Sequence, residues 1–295
     1  MLKPLFIVAM CVFSSLIFSK EIHQERSLYR NIIVDEKGDT LCLQFNTRIT
    51  KLNQSCIYKS NPDKLFFNYT KMIFASLLFI DNPSNVLIIG LGGGTLSNVI
   101  HQLFPDAHIN NVEIDPAVVK VARDYFHFIE TDRVVSTVQD GRIFIKRAAL
   151  KKQTYDWIIL DAFNGDYIPE HLLTKEFFEE ANSVLAPGGI IAANTFSSSK
   201  LYDHESATYY SVFGDFLNVS RHNRSNRIIL AGLNTMPSAT DIDTRANQLA
   251  PRLSRYNIDL KDIRQLINTT KDNHDWPENT KVLTDQYSPA NLLNN

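Results

Sequence analysis

Val86-Leu87-Ile88-Ile89-Gly90-Leu91-Gly92-Gly93-Gly94-Thr95 is an apolar run closed by a glycine-rich turn, and Glu113-Ile114-Asp115-Pro116 ends the next apolar run. Short apolar runs bounded by turns mark strands buried on both faces of a parallel sheet. Glycines at the end of such a strand let the backbone pass close to a ligand, and a carboxylate at the tip of the next strand can accept both ribose hydroxyls. About twenty residues separate turn and acid, the span of one βαβ crossover. The pair points to a nucleoside-containing ligand. It misses the strict dinucleotide fingerprint, because the third glycine of G-x-G-x-x-G falls on Thr95.

The sequence that follows extends the same α/β pattern. Arg133 to Gln139 reads as a third strand before Asp140-Gly141, and Tyr155-Asp156-Trp157-Ile158-Ile159-Leu160-Asp161 as a fourth with an acid at its tip. Leu185-Ala186-Pro187-Gly188-Gly189 is expected to break a helix before a fifth strand, Ile190 to Thr195. Carboxylates therefore end the second, third and fourth strands, and in an open α/β sheet those ends converge on one crevice. Capping the following helix is the alternative role for each acid taken singly.

The stretch from about Ser84 to Phe196 resembles the class I S-adenosylmethionine-binding enzymes, and within them the polyamine aminopropyltransferases, the spermidine synthase family. The residues that carry the resemblance are Gln139-Asp140-Gly141, the loop Asp161-Ala162-Phe163-Asn164-Gly165-Asp166-Tyr167-Ile168-Pro169, its continuation Leu172-Leu173-Thr174-Lys175-Glu176-Phe177-Phe178, and the late Leu283-Thr284-Asp285-Gln286-Tyr287. Arg26-Ser27-Leu28-Tyr29-Arg30-Asn31-Ile32 is similar to the family's N-terminal strand module. The resemblance implies that Gly90, Gly92 and Gly94 line the nucleoside, that Glu113 holds the ribose and Asp140 the adenine amino group, and that Asp161 faces the aminopropyl chain and the amine. It implies decarboxylated S-adenosylmethionine, or S-adenosylmethionine, as co-substrate.

Three positions depart from the family pattern. The acid of the glycine loop is replaced by Gly93, the Tyr-His-Glu element reads Tyr69-Thr70-Lys71, and the catalytic Asp three residues after Asp161 is Asn164, with Asp166 two residues beyond. Asp161, Asp166 and Asn164 are thus the candidate catalytic positions, and Tyr69, Tyr167 and Tyr202 the candidate contacts to the amine. His171 reads as a polar residue contacting the loop, with a catalytic role as the alternative. His101, His108 and His127 have no ligand-like spacing to Cys or acids, so no metal is assigned.

Composition fits one enzyme-sized unit. With 295 residues, 44% of them hydrophobic, the chain can bury a substantial core, and 30 basic against 32 acidic residues without a basic block argue against nucleic acid as a partner. A small-molecule amine is the expected partner, and a second copy in a homodimer stays open. Lys3 followed by an apolar run from Leu5 to Phe18 reads as a signal peptide, residues 1–19, and so as export to the periplasm or medium, with an uncleaved membrane anchor as the alternative. Cys11 lies in that leader. Cys42 and Cys56 remain, either as a disulfide across a hairpin or as two unrelated buried thiols.

The expected architecture is a doubly wound, Rossmann-like methyltransferase sheet with a small N-terminal antiparallel β module. Residues 20–82 hold that module, with turns at Asp35-Glu36-Lys37-Gly38 and around Asn53, and a linking helix from Lys64 to Phe79. Residues 83–235 form the S-adenosyl-binding domain, closed by an antiparallel pair at Phe216 to Ser220 and Arg227 to Gly232. Residues 236–295 form a tail with helices at Ala246 to Tyr256 and Asp259 to Asn268. Aminopropyl transfer is the leading function. A small-molecule methyltransferase and a non-catalytic binding protein that kept the fold are the alternatives.

Overall fold

The computed structural model describes residues 19–46, 51–163, 167–221, 226–233, 235–271 and 274–288. The leader, apart from Ser19, and the candidate positions Asn164 and Asp166 lie outside them.

An antiparallel meander comes first: β1 (Lys20–Arg26), β2 (Asn31–Lys37), β3 (Thr40–Asn46) and β4 (Lys51–Tyr58), paired in that order. The β1 strand was not expected, because Lys-Glu-Ile-His-Gln-Glu-Arg lacks the apolar alternation of a half-buried strand; it is an edge strand with most of its surface in water. Asn53 belongs to β4 and not to a turn. It sits opposite Gln44, whose Nε2 donates to Asn53 Oδ1 at 2.8 Å, a polar cross-strand pair. Cys42 and Cys56 are directly opposed on β3 and β4, Cα atoms 4.1 Å apart, and joined as a disulfide.

Helix α1 (Asn68–Ile73) begins four residues later than expected and gives way to a 3-10 turn at Phe74–Leu78. Phe66 and Phe67 hold the chain extended before it: Phe66 packs against Tyr58 and Phe67 stacks on Tyr69, while the Leu65 amide donates to the Tyr256 carbonyl. The alternating units follow as β5 (Asn85–Ile89), α2 (Thr95–Leu103), β6 (His108–Glu113), α3 (Pro116–Tyr125), β7 (Val134–Val138), α4 (Gly141–Leu150), β8 (Tyr155–Leu160), α5 (Lys175–Ser183), β9 (Leu185–Phe196) and α6 (Tyr202–Phe213). The chain closes with β10 (Leu217–Ser220), β11 (Asn226–Ala231), α7 (Ala239–Leu253), α8 (Leu260–Arg264) and β12 (Ile267–Thr269).

The large sheet has the order β12-β10-β11-β9-β8-β5-β6-β7. Strands β9, β8, β5, β6 and β7 are parallel, and the last three joined at the far edge are antiparallel. Two differences from the sequence reading stand out here. Strand β9 starts at Leu185, which pairs with Tyr155 before the Pro187-Gly188-Gly189 segment bulges out and pairing resumes at Ile190. The tail is not helical throughout, because Ile267–Thr269 adds a strand beside β10.

Alternate residues of the central strands face opposite layers. Val86 and Ile88 pack with α2, α7 and α8, whereas Leu87 and Ile89 pack with α4, α5 and α6. The β module is attached through a third cluster, in which Ile32, Val34, Leu43 and Ile57 bury Val118, Val121 and Phe126 of the α3 region. The module therefore roofs the carboxyl ends of β5 and β6.

The disulfide closes a loop of 14 residues in the strand pair that forms this roof. Intact mass should rise by two hydrogens on reduction, and reduction should lower unfolding free energy by about 3 kcal/mol on the loop-entropy scale, read by denaturant melts with and without reductant. Two thiols that alkylate without reductant would contradict this.

Candidate active site

The crevice lies where it is expected in such sheets, at the carboxyl ends of the strands beside the β5/β8 switch in chain order. It is an open cleft of about 1070 Å³, solvent at the mouth included, with a floor from Gly90, Gly92, Glu113, Asp140 and Asp161 and a roof from Tyr29, Arg30, Phe45, Gln54 and Ser55.

Gly90 has φ +95, and a Cβ there would lie 2.3 Å from the main-chain oxygen of Asp161. Only glycine allows β5 and β8 to end that close. Gly92 faces the cleft with room beside it. Gly94 does not line the cleft, contrary to the sequence reading: it precedes α2 in a left-handed conformation, and a Cβ would strike the Phe128 ring at 2.5 Å, so its role is packing. At Gly93 a Cβ would meet Ser55 Oγ at 2.7 Å and the Phe126 ring at 3.0 Å. The roof thus fills the space that an acid would occupy there.

Glu113 is buried at the tip of β6. Leu91 N donates to Oε2 and Asp115 N to Oε1, both at 3.1 Å. Burial pushes its carboxyl above the ordinary range, opposed by those two amides and by the charge of Arg30. The main chain therefore fixes the orientation of both oxygens.

Asp140 combines two roles. Its Oδ1 caps α4 by accepting from Ile143 N at 3.0 Å, and its Oδ2 lies 2.8 Å from His171 Nε2. The His171 contact is the main cause that holds this carboxyl below the usual range. The sequence reading places His171 against the loop that follows Asp161; its partner is instead Asp140 at the start of α4, and both residues line the cleft.

Asp161 ends β8. Its Oδ1 accepts from Asn194 Nδ2 at 2.8 Å, and its Oδ2 faces the Tyr69 hydroxyl at 3.4 Å. Burial raises the Asp161 carboxyl to about 7 against these two donors. Tyr69 is itself pushed well above the usual phenol range, first by burial and then by the Asp161 charge. Thr70 lines the cleft, donating to Phe67 O, but Lys71 does not; it is half-buried, with its ammonium lowered by burial and by nearby Arg221.

One of the expected amine contacts lies elsewhere. Tyr202 heads α6 outside the cleft, its hydroxyl donating to Asp275 at 2.5 Å and its ring covered by the Arg227 guanidinium at 3.9 Å. Tyr167 is not among the cleft-lining residues either. The turn after β9 carries the chain away from the crevice, which the distance along the sequence does not reveal.

Sequence reading missed three contributors. Arg30 reaches from the roof to the Phe163 carbonyl at 3.2 Å, lies 3.7 Å from Asp115 and sits over the Phe45 ring; Ser27 donates to Asp115 Oδ2 at 2.6 Å. Arg142, next to the Asp140-Gly141 pair, binds both Glu180 and Asp285 in bidentate fashion, with Thr174 also donating to Asp285. The late Leu283–Tyr287 segment thereby braces the back of the Asp140 helix. Acid-cationic pairs so far apart in sequence leave no local signal.

With the geometry in place, the comparisons agree. Residues 66–217 match the Spermine/spermidine synthase domain. The chain belongs to the spermine/spermidine synthase family. It is 45% identical over 274 residues to a polyamine aminopropyltransferase of Vibrio vulnificus, covering 92% of this chain and 91% of that one. Its fold is similar to that of a probable spermidine synthase from Corynebacterium glutamicum, with TM-score 0.66 and 24% identity over 89% of this chain and 96% of that one. Human methyltransferase-like protein 13 in complex with SAH shares the fold at TM-score 0.56 and 24% identity, over 72% of this chain and 97% of that one.

Glu113→Gln should weaken methylthioadenosine binding by about 1.5 to 3 kcal/mol, the scale of hydrogen bonds to a charged group, because one oxygen becomes a donor facing main-chain N–H groups. Calorimetry of the folded variant against the unmodified chain measures it.

Proposed function

We propose that the chain transfers an aminopropyl group from decarboxylated S-adenosylmethionine to a polyamine such as putrescine. The observation that carries this reading is the placement of three strand-end acids, Glu113, Asp140 and Asp161, in one cleft, the third with a carboxyl near neutrality.

In this reaction the amine nitrogen attacks the carbon next to the sulfonium. The new N–C bond forms as the C–S bond breaks, its electron pair neutralises sulfur, and methylthioadenosine leaves. The nitrogen loses one proton. Glu113 and Asp140 fix the nucleoside, so the sulfonium arm extends toward β8. Asp161 stands at that end, buried, held by two donors and with a proton affinity matched to accepting the amine's proton near neutral pH. Tyr69 presents its hydroxyl to the same spot, where the oxygen can accept from an ammonium while the O–H donates to the Asp161 carboxylate. Positioning supplies most of the remaining rate, by bringing both reactants together in one cleft.

A second reading has one observation in its favour. The Arg30 guanidinium lines the cleft and no acid stands at Gly93, an arrangement that would tolerate the carboxylate of S-adenosylmethionine and permit methyl transfer. Product analysis with each donor separates the two. Methylthioadenosine with spermidine supports the first; methylated product without aminopropyl transfer replaces it.

Asp161→Asn should lower turnover by roughly 10²- to 10⁴-fold, the range for a lost general base, while methylthioadenosine affinity stays within about twofold. Turnover of the unmodified chain should rise with pH through about 7, the folded-state value of Asp161. The stability consequence has a definite sign. A carboxyl raised to about 7 when folded binds its proton more tightly there than in the unfolded chain, so its contribution is present below about pH 4 and is lost as pH rises to about 7. Asp161→Asn should therefore gain melting temperature relative to the unmodified chain at pH 8 but not at pH 4.

A further inference from the structure

We infer that Asn194 and Asn226 are positioning residues that keep Asp161 in its proton-accepting form by presenting it with a chain of hydrogen-bond donors pointing one way. The inference rests on the aminopropyl-transfer reading for its kinetic test and on geometry alone for its structural content.

The chain of contacts runs across three neighbouring strands. Asn226 at the start of β11 donates through Nδ2 to Asn194 Oδ1 at 3.1 Å, and Asn194 on β9 donates through Nδ2 to Asp161 Oδ1 at 2.8 Å. Strand register makes the alignment possible. Asn226 lies opposite Phe196, two residues beyond Asn194, so the two amides project from the same face of the antiparallel pair. Asn194 is 3% exposed, so its amide is satisfied by these protein partners and not by bulk water.

An isolated asparagine beside a carboxyl has two choices. With its NH₂ forward it favours the carboxylate; with its carbonyl forward it favours the protonated acid, which alone can donate. Asn226 removes the second choice, because turning Asn194 around would bring two NH₂ groups face to face. Donor polarity therefore passes from β11 to β9 to the end of β8. The Tyr69 hydroxyl supplies a second donor from α1. Both partners of Asp161 thus oppose burial, which on its own would keep the acid protonated and unable to take up the amine's proton.

Other charges do not substitute for this arrangement. The Arg30 guanidinium on the roof is directed to the Phe163 carbonyl and Asp115, and Lys71 on α1 does not line the cleft. Glu113 is tied to Leu91 and Asp115 amides, and Asp140 to His171 and α4. From β9 and β11, the charged Arg227 is engaged with Thr195, Ser206 and Glu205. Among the described residues, Asn194 and Tyr69 are the side chains hydrogen-bonded to Asp161.

Two substitutions at Asn226 test the relay without touching Asp161. Asn226→Ala removes the outer donor and adds no charge. Asn226→Asp keeps the volume but offers an acceptor, so the Asn194 amide is expected to turn its carbonyl toward Asp161. The acidic limb of the kcat/KM–pH profile should move upward by roughly 0.5 to 1 unit in Asn226→Ala, the scale of one hydrogen bond to a carboxylate, and further in Asn226→Asp. Methylthioadenosine affinity should stay within about twofold in both. The same shift should be seen without turnover, by following the Asp161 carboxyl carbon in ¹³C-labelled protein against Asp161→Asn as the assignment control. A limb and a carboxyl titration that stay in place in a folded variant, whether or not kcat falls, would overturn the relay. If the unmodified chain has no aminopropyl transfer, the proposed function fails, and the carboxyl titration alone decides the relay. If Asn226→Ala does not fold, Asn226→Leu, uncharged and of similar length but without the amide donor, carries the test.

Discussion

The arrangement depends on how closely two parallel strands end. Gly90 donates to Val112 O and Asp161 donates to Ile89 O, both at 2.8 Å, so β6, β5 and β8 remain hydrogen-bonded up to the point where they open into loops. A Cβ at position 90 would clash with the Asp161 carbonyl, 2.3 Å from its oxygen. Because that side chain is missing, the acid of β6 and the acid of β8 border the same cleft. Every later feature, from the roof to the amide relay, is arranged around that spacing.

Three buried or half-buried acids are stabilised by three different kinds of partner. Glu113 is held by main-chain amides, which cannot rotate away; Asp140 by a helix start and an imidazole; Asp161 by side-chain amide and phenol groups. The Glu113 end of the cleft is thereby the more rigid and the Asp161 end the more adjustable by substitution.

The parts of the fold legible in sequence were those whose burial is complete. Strands β5 and β8 are apolar on both faces, so Asn85–Ile89 and Tyr155–Leu160 could be read directly. Edge elements could not: β1 is polar along its length, and β12 is three residues of which two are exposed. The acids were legible because strand tips are fixed by the runs before them. Arg30, Ser27, Asn194 and Arg142 were not, since each acquires its meaning from a partner 30 to more than 100 residues away, as Arg142 does from Asp285. Tyr202 misled because proximity to β9 in sequence does not fix direction, and the chain turns toward Asp275. Its aromatic neighbour Tyr209 packs in the core against Phe178, as a plain packing role would have it.

The Arg142 brace has a consequence for the order in which the molecule is made. Asp285 follows Arg142 by 143 residues, and polypeptides emerge from the ribosome amino end first. While the strands and helices up to α6 are emerging, the guanidinium beneath Asp140 has Glu180 as its only carboxylate of the final pair. The nascent sheet can assemble before the brace exists, but the helix carrying Asp140 acquires its second anchor only after the last segment has docked. Ribosome-bound chains stalled before residue 285 would thus hold a recognisable crevice whose Asp140 side is still incompletely secured.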